Sequence, residues 1–150
     1  MFYGNKAIIK SKEVGDSTLI AQVYSDIGAV YFRKGDFKNS KNNYLSAYQI
    51  RKIRKDYKGL AKINNNLGNI YEKNQEYHKA MTSLLEALDY FEEINDKKNT
   101  NVTKGNIGLV LLKLKNYPKA VKYINEVIQY QEENEFTDEL CVSYLNLGNV

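Results

Sequence analysis

Apolar and polar residues alternate along the chain with the period of an amphipathic α-helix. One apolar face combines positions i, i+3, i+4 and i+7 of a helix with 3.6 residues per turn: Tyr24, Ile27, Gly28 and Tyr31. A second apolar face of the same helical period follows a short polar break, at positions i, i+3, i+7 and i+10: Phe37, Ser40, Tyr44 and Ala47. The two faces predict a pair of helices joined by a turn.

This pair of helices recurs every 40 residues without a gap. Glycine stands at positions 28, 68, 108 and 148. Three further series share the spacing: Phe37, Tyr77 and Tyr117; Ser40, Ala80 and Ala120; and Tyr44, Leu84 and Ile124. A period of this length is typical of a solenoid, in which each helix pair buries its apolar face against the next pair.

Short polar breaks mark where the helices end. They fall at 15–16, 35–36, 55–56, 75–76, 95–96 and 115–116, with a last one at 137–138. Asp36 and Asn116 are good N-cap residues, and Pro118 suits a first turn, where a missing N–H costs no hydrogen bond. We therefore predict helices over 16–34, 37–54, 57–74, 77–94, 97–114, 117–134 and 138–150, and one more over 1–14.

Glycine within a helix costs about 1 kcal/mol relative to alanine, so four glycines at one repeat position require a structural reason. The small residues Ser40, Ala80 and Ala120 of the second helices provide one, because small side chains on both helices let the axes approach closely. We predict that each of the four glycines marks a helix–helix crossing.

These positions resemble the tetratricopeptide repeat family. The family pattern of large, leucine, glycine, tyrosine, small, aromatic and alanine residues matches Tyr24, Ile27, Gly28, Tyr31, Ser40, Tyr44 and Ala47, and again the next two units. The 40-residue period resembles the variant in kinesin light chains and bacterial signalling proteins. The resemblance implies an all-α, right-handed α–α superhelix. Asn64 and Lys104 stand where the family pattern has its first large residue, so we expect weaker packing around these two positions.

The repeat boundaries indicate a single array over residues 1–150. It comprises a half repeat over 1–14, three repeats over about 16–54, 57–94 and 97–134, and a half repeat over 138–150. Because both outer helices lack a partner within this pattern, we expect a piece of a longer protein. We also expect possible self-association through these ends, where Leu140, Val142 and Leu145 are apolar.

Composition excludes several functional classes. The net charge of +4 is too small to indicate nucleic acid binding, and no apolar run is long enough to span a membrane. The single cysteine, Cys141, favours a reducing compartment, so we expect a cytoplasmic protein. His78 is the only histidine and cannot build a metal site alone. We expect no enzyme activity, no cofactor and no bound metal.

Function is therefore expected on a surface. In the family, the inner face of the first helices lines a concave groove for a peptide. The residues that we predict to bind a partner there are Arg33, Asn65, Asn66, Asn69, Lys73, Val102, Asn106, Leu109, Leu112, Lys113, Asn146 and Asn149. Asparagine amides both donate and accept, which matches a peptide backbone. The alternative is that the asparagines bond neighbouring repeats and that Arg33, Lys73 and Lys113 are solvated.

Val102, Leu109 and Leu112 make the third unit's first helix apolar nearly all round, a pattern typical of a buried helix. Either a partner covers this face or the superhelix buries it. The first functional hypothesis is a protein- or peptide-binding scaffold, a regulatory or sensory module of a signalling protein. The alternative is a self-assembly or spacer module. An RNA-binding repeat would require a strongly basic groove.

Overall fold

The computed structural model describes the backbone of residues 2–148, and the side chains of these residues except 2, 3, 5 and 137–141. The described chain is helical, with eight helices: α1 (Phe2–Val14), α2 (Ser17–Arg33), α3 (Phe37–Ile53), α4 (Tyr57–Lys73), α5 (Tyr77–Glu93), α6 (Lys97–Lys113), α7 (Tyr117–Glu133) and α8 (Thr137–Gly148). The bounds confirm the predicted helices to within a residue or two.

Each turn is built in the same way. A residue with positive φ follows each helix at 20-residue intervals: Gly15, Gly35, Lys55, Gln75, Asn95, Lys115 and Glu135. After each of these residues except Gly15, the next N–H returns to a carbonyl of the last helical turn, as Asp36 N does to Tyr31 O at 3.0 Å. This left-handed cap satisfies carbonyls that the helix end leaves free and reverses the chain within three residues.

An aspartate begins several of the helices. The carboxylates of Asp16, Asp36, Asp56 and Asp96 accept backbone N–H groups of the following first turn. Asn116 lies at the N-cap of α7 but makes no side-chain capping bond, so only part of its predicted role is realised. Pro118 lies in the first turn, as predicted.

Packing follows the order of the chain. Each helix lies against the helices before and after it, and α4 also contacts α6. The short turns make neighbouring helices antiparallel. Buried clusters follow one another along the array, one between α3 and α4 around Tyr44 and Ile70, another joining α5, α6 and α7 around Leu84 and Val110. The architecture is an all-α solenoid of helix pairs.

Three of the four repeat glycines lie at close helix crossings. A Cβ on Gly68 would lie 2.6 Å from Leu84 Cγ, and one on Gly108 would lie 3.0 Å from Ile124 Cγ1. At Gly28, the Tyr44 ring lies 3.2 Å from the Cβ position. The prediction fails at Gly148, where a Cβ would meet no described atom within 4 Å.

The polar residues that replace the first large residue of the family pattern each pair with a carboxylate. Asn64 is 2% exposed and donates from Nδ2 to Glu86 Oε2 at 3.1 Å. Lys104, at the next equivalent position, donates to Glu126 Oε2 at 2.7 Å. Glu86 and Glu126 are themselves 40 residues apart. A carboxylate on the second helix therefore accompanies each of the two polar residues, and the weaker packing expected there stays a prediction.

Candidate functional site

The first helices of successive units meet on one concave surface. A cavity of about 230 Å³ is lined from three of them at once: Phe32 on α2; Asn69, Glu72 and Lys73 on α4; and Asn106, Leu109 and Val110 on α6. We call this surface, with its continuation onto α8, the groove. The residues that different helices contribute to this cavity are more than 30 positions apart in the chain and are brought together by the stacking of the units.

A second cavity of about 270 Å³ adjoins the first, since Asn106 and Leu109 line both. It lies between α6, the end of α7 and α8, and we call it the α6–α8 pocket. Its apolar lining consists of Val102, Leu109, Val127, Tyr130, Phe136 and Val142. Side-chain amides of Asn101, Asn106, Gln131 and Asn146 line it as well. The combination of an apolar wall with a few amides is typical of a peptide or ligand site.

Half of the predicted binding residues line these cavities: Asn69, Lys73, Val102, Asn106, Leu109 and Asn146. Arg33, Asn65, Asn66 and Lys113 line neither one. Leu112 is half-buried and packs on the core cluster around Leu84 and Val110, so its contacts are those of a packing residue. Asn149 lies outside the described residues.

The asparagines do not form a uniform ladder. Asn106 donates from Nδ2 to Asn65 Oδ1 at 3.0 Å, and Thr103 Oγ1 donates to the same oxygen at 3.2 Å. For Asn65 and Asn106, the structure therefore agrees with the alternative interpretation, in which the asparagine side chains hydrogen-bond the neighbouring repeat. Asn66 and Asn146 are half-buried. Asn65 and Asn106 thus form a pair that joins α4 to α6, Asn69 and Asn146 line the cavities, and Asn66 lines neither.

The predicted basic row is partly neutralised. Lys73 lies 3.0 Å from the carboxylate of Glu72, and both residues line the smaller cavity. Arg33 and Lys113 are exposed. Because the carboxylate of Glu72 lies beside Lys73, the row of Arg33, Lys73 and Lys113 offers a ligand less positive charge than the sequence indicated.

The structure adds residues that the sequence analysis missed. Tyr130 and Phe136 contribute two aromatic rings to the α6–α8 pocket, with centroids 6.0 Å apart and planes tilted by 59°. Both come from the end of a second helix and its turn, whereas the analysis searched only the first helices. The sequence did contain a signal for this site. Phe136 is an aromatic residue at the repeat position where the preceding units carry aspartates, Asp16, Asp56 and Asp96.

Among the described residues, no group of three histidine, cysteine, aspartate or glutamate side chains has the arrangement of a metal site. Over the same residues, no helix is long and apolar enough to cross a bilayer.

Comparison with protein families matches two overlapping segments, residues 19–93 and 59–133, to the tetratricopeptide repeat. Together they cover most of the chain. The chain belongs to the tetratricopeptide repeat family. This tetratricopeptide repeat chain matches no curated protein sequence.

Several solved structures share the fold. BtubC (BKLC) from P. vanneervenii superimposes with a TM-score of 0.89 at 19% identity, over 97% of this chain and 61% of that protein. Aspartyl phosphate phosphatase F from Bacillus subtilis has a TM-score of 0.87 at 21% identity, over 97% and 38%. A signal transduction ATPase with a tetratricopeptide repeat sensor, PH0952 from Pyrococcus horikoshii, has a TM-score of 0.84 at 19% identity, over 96% and 22%.

This tetratricopeptide repeat chain thus spans between about a fifth and three fifths of the length of these proteins. At such identities the likeness shows a shared fold, an all-α solenoid of helix pairs.

Proposed function

We propose that this chain is a non-catalytic, protein- or peptide-binding scaffold that holds its ligand in the groove. The observation that carries the proposal is the pair of adjoining cavities on the concave surface, which share Asn106 and Leu109. Apolar side chains remain accessible there, with Val102 51% and Val142 57% exposed. Accessible apolar side chains grouped with amides are typical of an interaction surface.

Related structures support the same proposal. The Rap conjugation gene regulator of plasmid pLS20, which was solved with the Phr* peptide, superimposes with a TM-score of 0.77 at 16% identity over 87% of this chain. A tetratricopeptide repeat in PH0952 is described as a sensor. By analogy, a regulatory or sensory role within a larger signalling protein is the finer form of the proposal.

Two leucines with matched exposure provide the test. Leu109 lies in the groove and is 37% exposed, whereas Leu85 lies on α5, a second helix, and is 39% exposed. We expect Leu109→Glu to reduce the binding of peptides selected from a displayed random library by about tenfold or more. Leu85→Glu should leave their binding unchanged. Equal losses in both variants, or no loss in either, would contradict the assignment of the groove.

The second candidate is a self-assembly module, and exposed apolar residues of α8 favour it. Tyr144 is 48% and Leu145 70% exposed. Sedimentation at high micromolar concentration separates the candidates: a monomer that binds peptide supports the scaffold. Concentration-dependent association that Leu145→Glu abolishes supports self-assembly.

A further inference from the structure

The units of the array do not pack in the same way at every junction. Between the second and third units, Phe91 at the end of α5 is 1% exposed and packs with Ala61 and Ala87. The residues at the equivalent positions one unit later all line the α6–α8 pocket: Asn101, Val127 and Gln131. The pocket therefore lies where the ring of Phe91 fills the junction one unit earlier.

A second replacement enlarges the same space. Asn65 Oδ1 accepts Asn106 Nδ2 at 3.0 Å and so joins α4 to α6. Its equivalent one unit later is Gly105, which lines the pocket. A Cβ at Gly105 would meet no described atom within 4 Å. Because glycine has no side chain, position 105 cannot form the corresponding bond from α6 to α8, and the pocket stays open on this side as well.

The polar groups of the pocket favour an anionic occupant. Lys98, which is exposed, is the single charged residue among the described residues that line the pocket. Ser143 Oγ donates to Gln131 Oε1 at 2.7 Å, so the N–H groups of the Gln131 amide remain available to an acceptor. A cation together with amide donors complements a carboxylate.

The volume of the pocket suits one aromatic ring with a short substituent. The pocket encloses about 270 Å³, whereas a cavity of about 150 Å³ with an apolar lining is large enough to bind benzene. Val102 and Leu109 form its apolar wall on α6. The rings of Tyr130 and Phe136, with centroids 6.0 Å apart, offer a further aromatic ring their faces and edges. A benzene ring and a carboxylate on a short linker therefore fit together.

We propose that the α6–α8 pocket binds a small aromatic carboxylic acid. The ring of this ligand takes the place that Phe91 takes one unit earlier, and its carboxylate is held by Lys98 and the amide of Gln131. The bound ring completes the packing of α8 on α6 and α7, so the ligand stabilises this end of the array. The inference goes beyond the proposed function, because a free small molecule, and not a peptide, is the ligand.

The place of the ring is tested by returning a phenylalanine to the repeat position. Gln131→Phe fills the pocket, and Gln129→Phe adds the same ring at an exposed position of α7 that does not line it. The probe is phenylacetate, titrated in two-dimensional NMR. We expect the wild type to bind with a Kd on the order of 1 mM or below. Gln131→Phe should weaken binding by about tenfold or more, and Gln129→Phe should leave it unchanged.

A second variant fills the pocket from the opposite wall. Gly105→Leu introduces a side chain beside Val102, and it should weaken phenylacetate binding as Gln131→Phe does. Thermal melting without ligand confirms that each variant is folded. Binding of phenylacetate that both variants retain, or that the wild type lacks, would overturn the inference.

The place of the carboxylate is tested with phenylacetamide, which has the same shape without the charge. Lys98→Gln should weaken the binding of phenylacetate by about fivefold or more and leave that of phenylacetamide unchanged. Lys97→Gln is the control, because Lys97 is also exposed but does not line the pocket. Equal losses in both variants would overturn the assignment of Lys98. Acetate that competes as well as phenylacetate would show an adventitious anion only.

Failure of this inference and failure of the proposed function give different results. Phenylacetate that binds to the pocket supports the inference, whether or not a peptide that depends on Leu109 is found. If phenylacetate does not bind, but Gln131→Phe weakens the binding of such peptides, the pocket takes a side chain of the peptide. That result overturns the inference and leaves the proposed function intact.

Discussion

Two mid-helix glycines, Gly68 and Gly105, should respond in opposite ways to the same substitution. Changing glycine to alanine within a helix stabilises by about 1 kcal/mol through helix propensity, and this contribution is common to both sites. Only packing distinguishes them. At Gly105 a Cβ would meet no described atom within 4 Å, whereas at Gly68 it would lie 2.6 Å from Leu84 Cγ and 2.7 Å from Leu84 Cδ2. Gly105→Ala should therefore stabilise by about the full propensity gain.

The cost at Gly68 follows from the burial of its neighbour. Leu84 is fully buried, and the Cβ would also lie 3.4 Å from the Ala80 carbonyl oxygen, so the leucine has little room to move. Overpacking of this kind costs about 1–3 kcal/mol, which is also the expected difference in unfolding free energy between the two variants. Gly108→Ala should lie between them, because its closest contact, Ile124 Cγ1, is at 3.0 Å.

Thermal unfolding followed by circular dichroism, with urea unfolding as a second probe, measures this ranking. For a chain of this size, 1 kcal/mol corresponds to a shift in melting temperature of about 2–4 °C. Gly68→Leu should cost more than Gly68→Ala, since three further carbons must enter the same crossing. If Gly68→Ala melts at or above the temperature at which Gly105→Ala melts, the close crossing does not explain the regular 40-residue spacing of glycines in this chain.

Three further predictions concern the turns, the caps and the contact between repeats. Lys115 has a φ of 58° after α6, so Lys115→Gly should raise the unfolding free energy by about 1 kcal/mol, and the reverse change Gly35→Lys, at φ 74°, should lower it in urea titrations. The pKa of Asp96 is lowered below its ordinary value of 3.8, so its stabilisation is present above that pH and disappears as the pH falls through the folded pKa. Asp96→Ala should therefore lower the unfolding free energy by about 1 kcal/mol at neutral pH and by progressively less below pH 3.8. An equal loss of unfolding free energy at neutral pH and well below pH 3.8 would contradict this account. Because Asn106 bonds Asn65 across the two repeats, Asn106→Ala should lower the unfolding free energy by about 1 kcal/mol, whereas an unchanged stability would show that the bond contributes nothing.

The helices and turns of this fold could be predicted from the sequence because they depend on interactions between residues that are close in the chain. Helix periodicity, the capping aspartates and the 20-residue spacing of the turns are properties of neighbouring residues. The close crossings at Gly28, Gly68 and Gly108 were also predictable, because a glycine repeated in mid-helix requires a close partner. The lining of the groove was predictable in part, through residues such as Val102 and Leu109 on the inner helix faces.

Only the tertiary structure decided which side chains meet across units. Asn65 and Asn106 lie 41 positions apart, and the angle at which α6 packs on α4 determines whether their amides bond each other or face a ligand. The packing of α7 on α6 brings Tyr130, from a second helix, and Phe136, from the turn after it, into the α6–α8 pocket beside Val102. Periodicity assigns a residue to a face of its own helix, but the distance between two faces is set by the side chains packed between the helices.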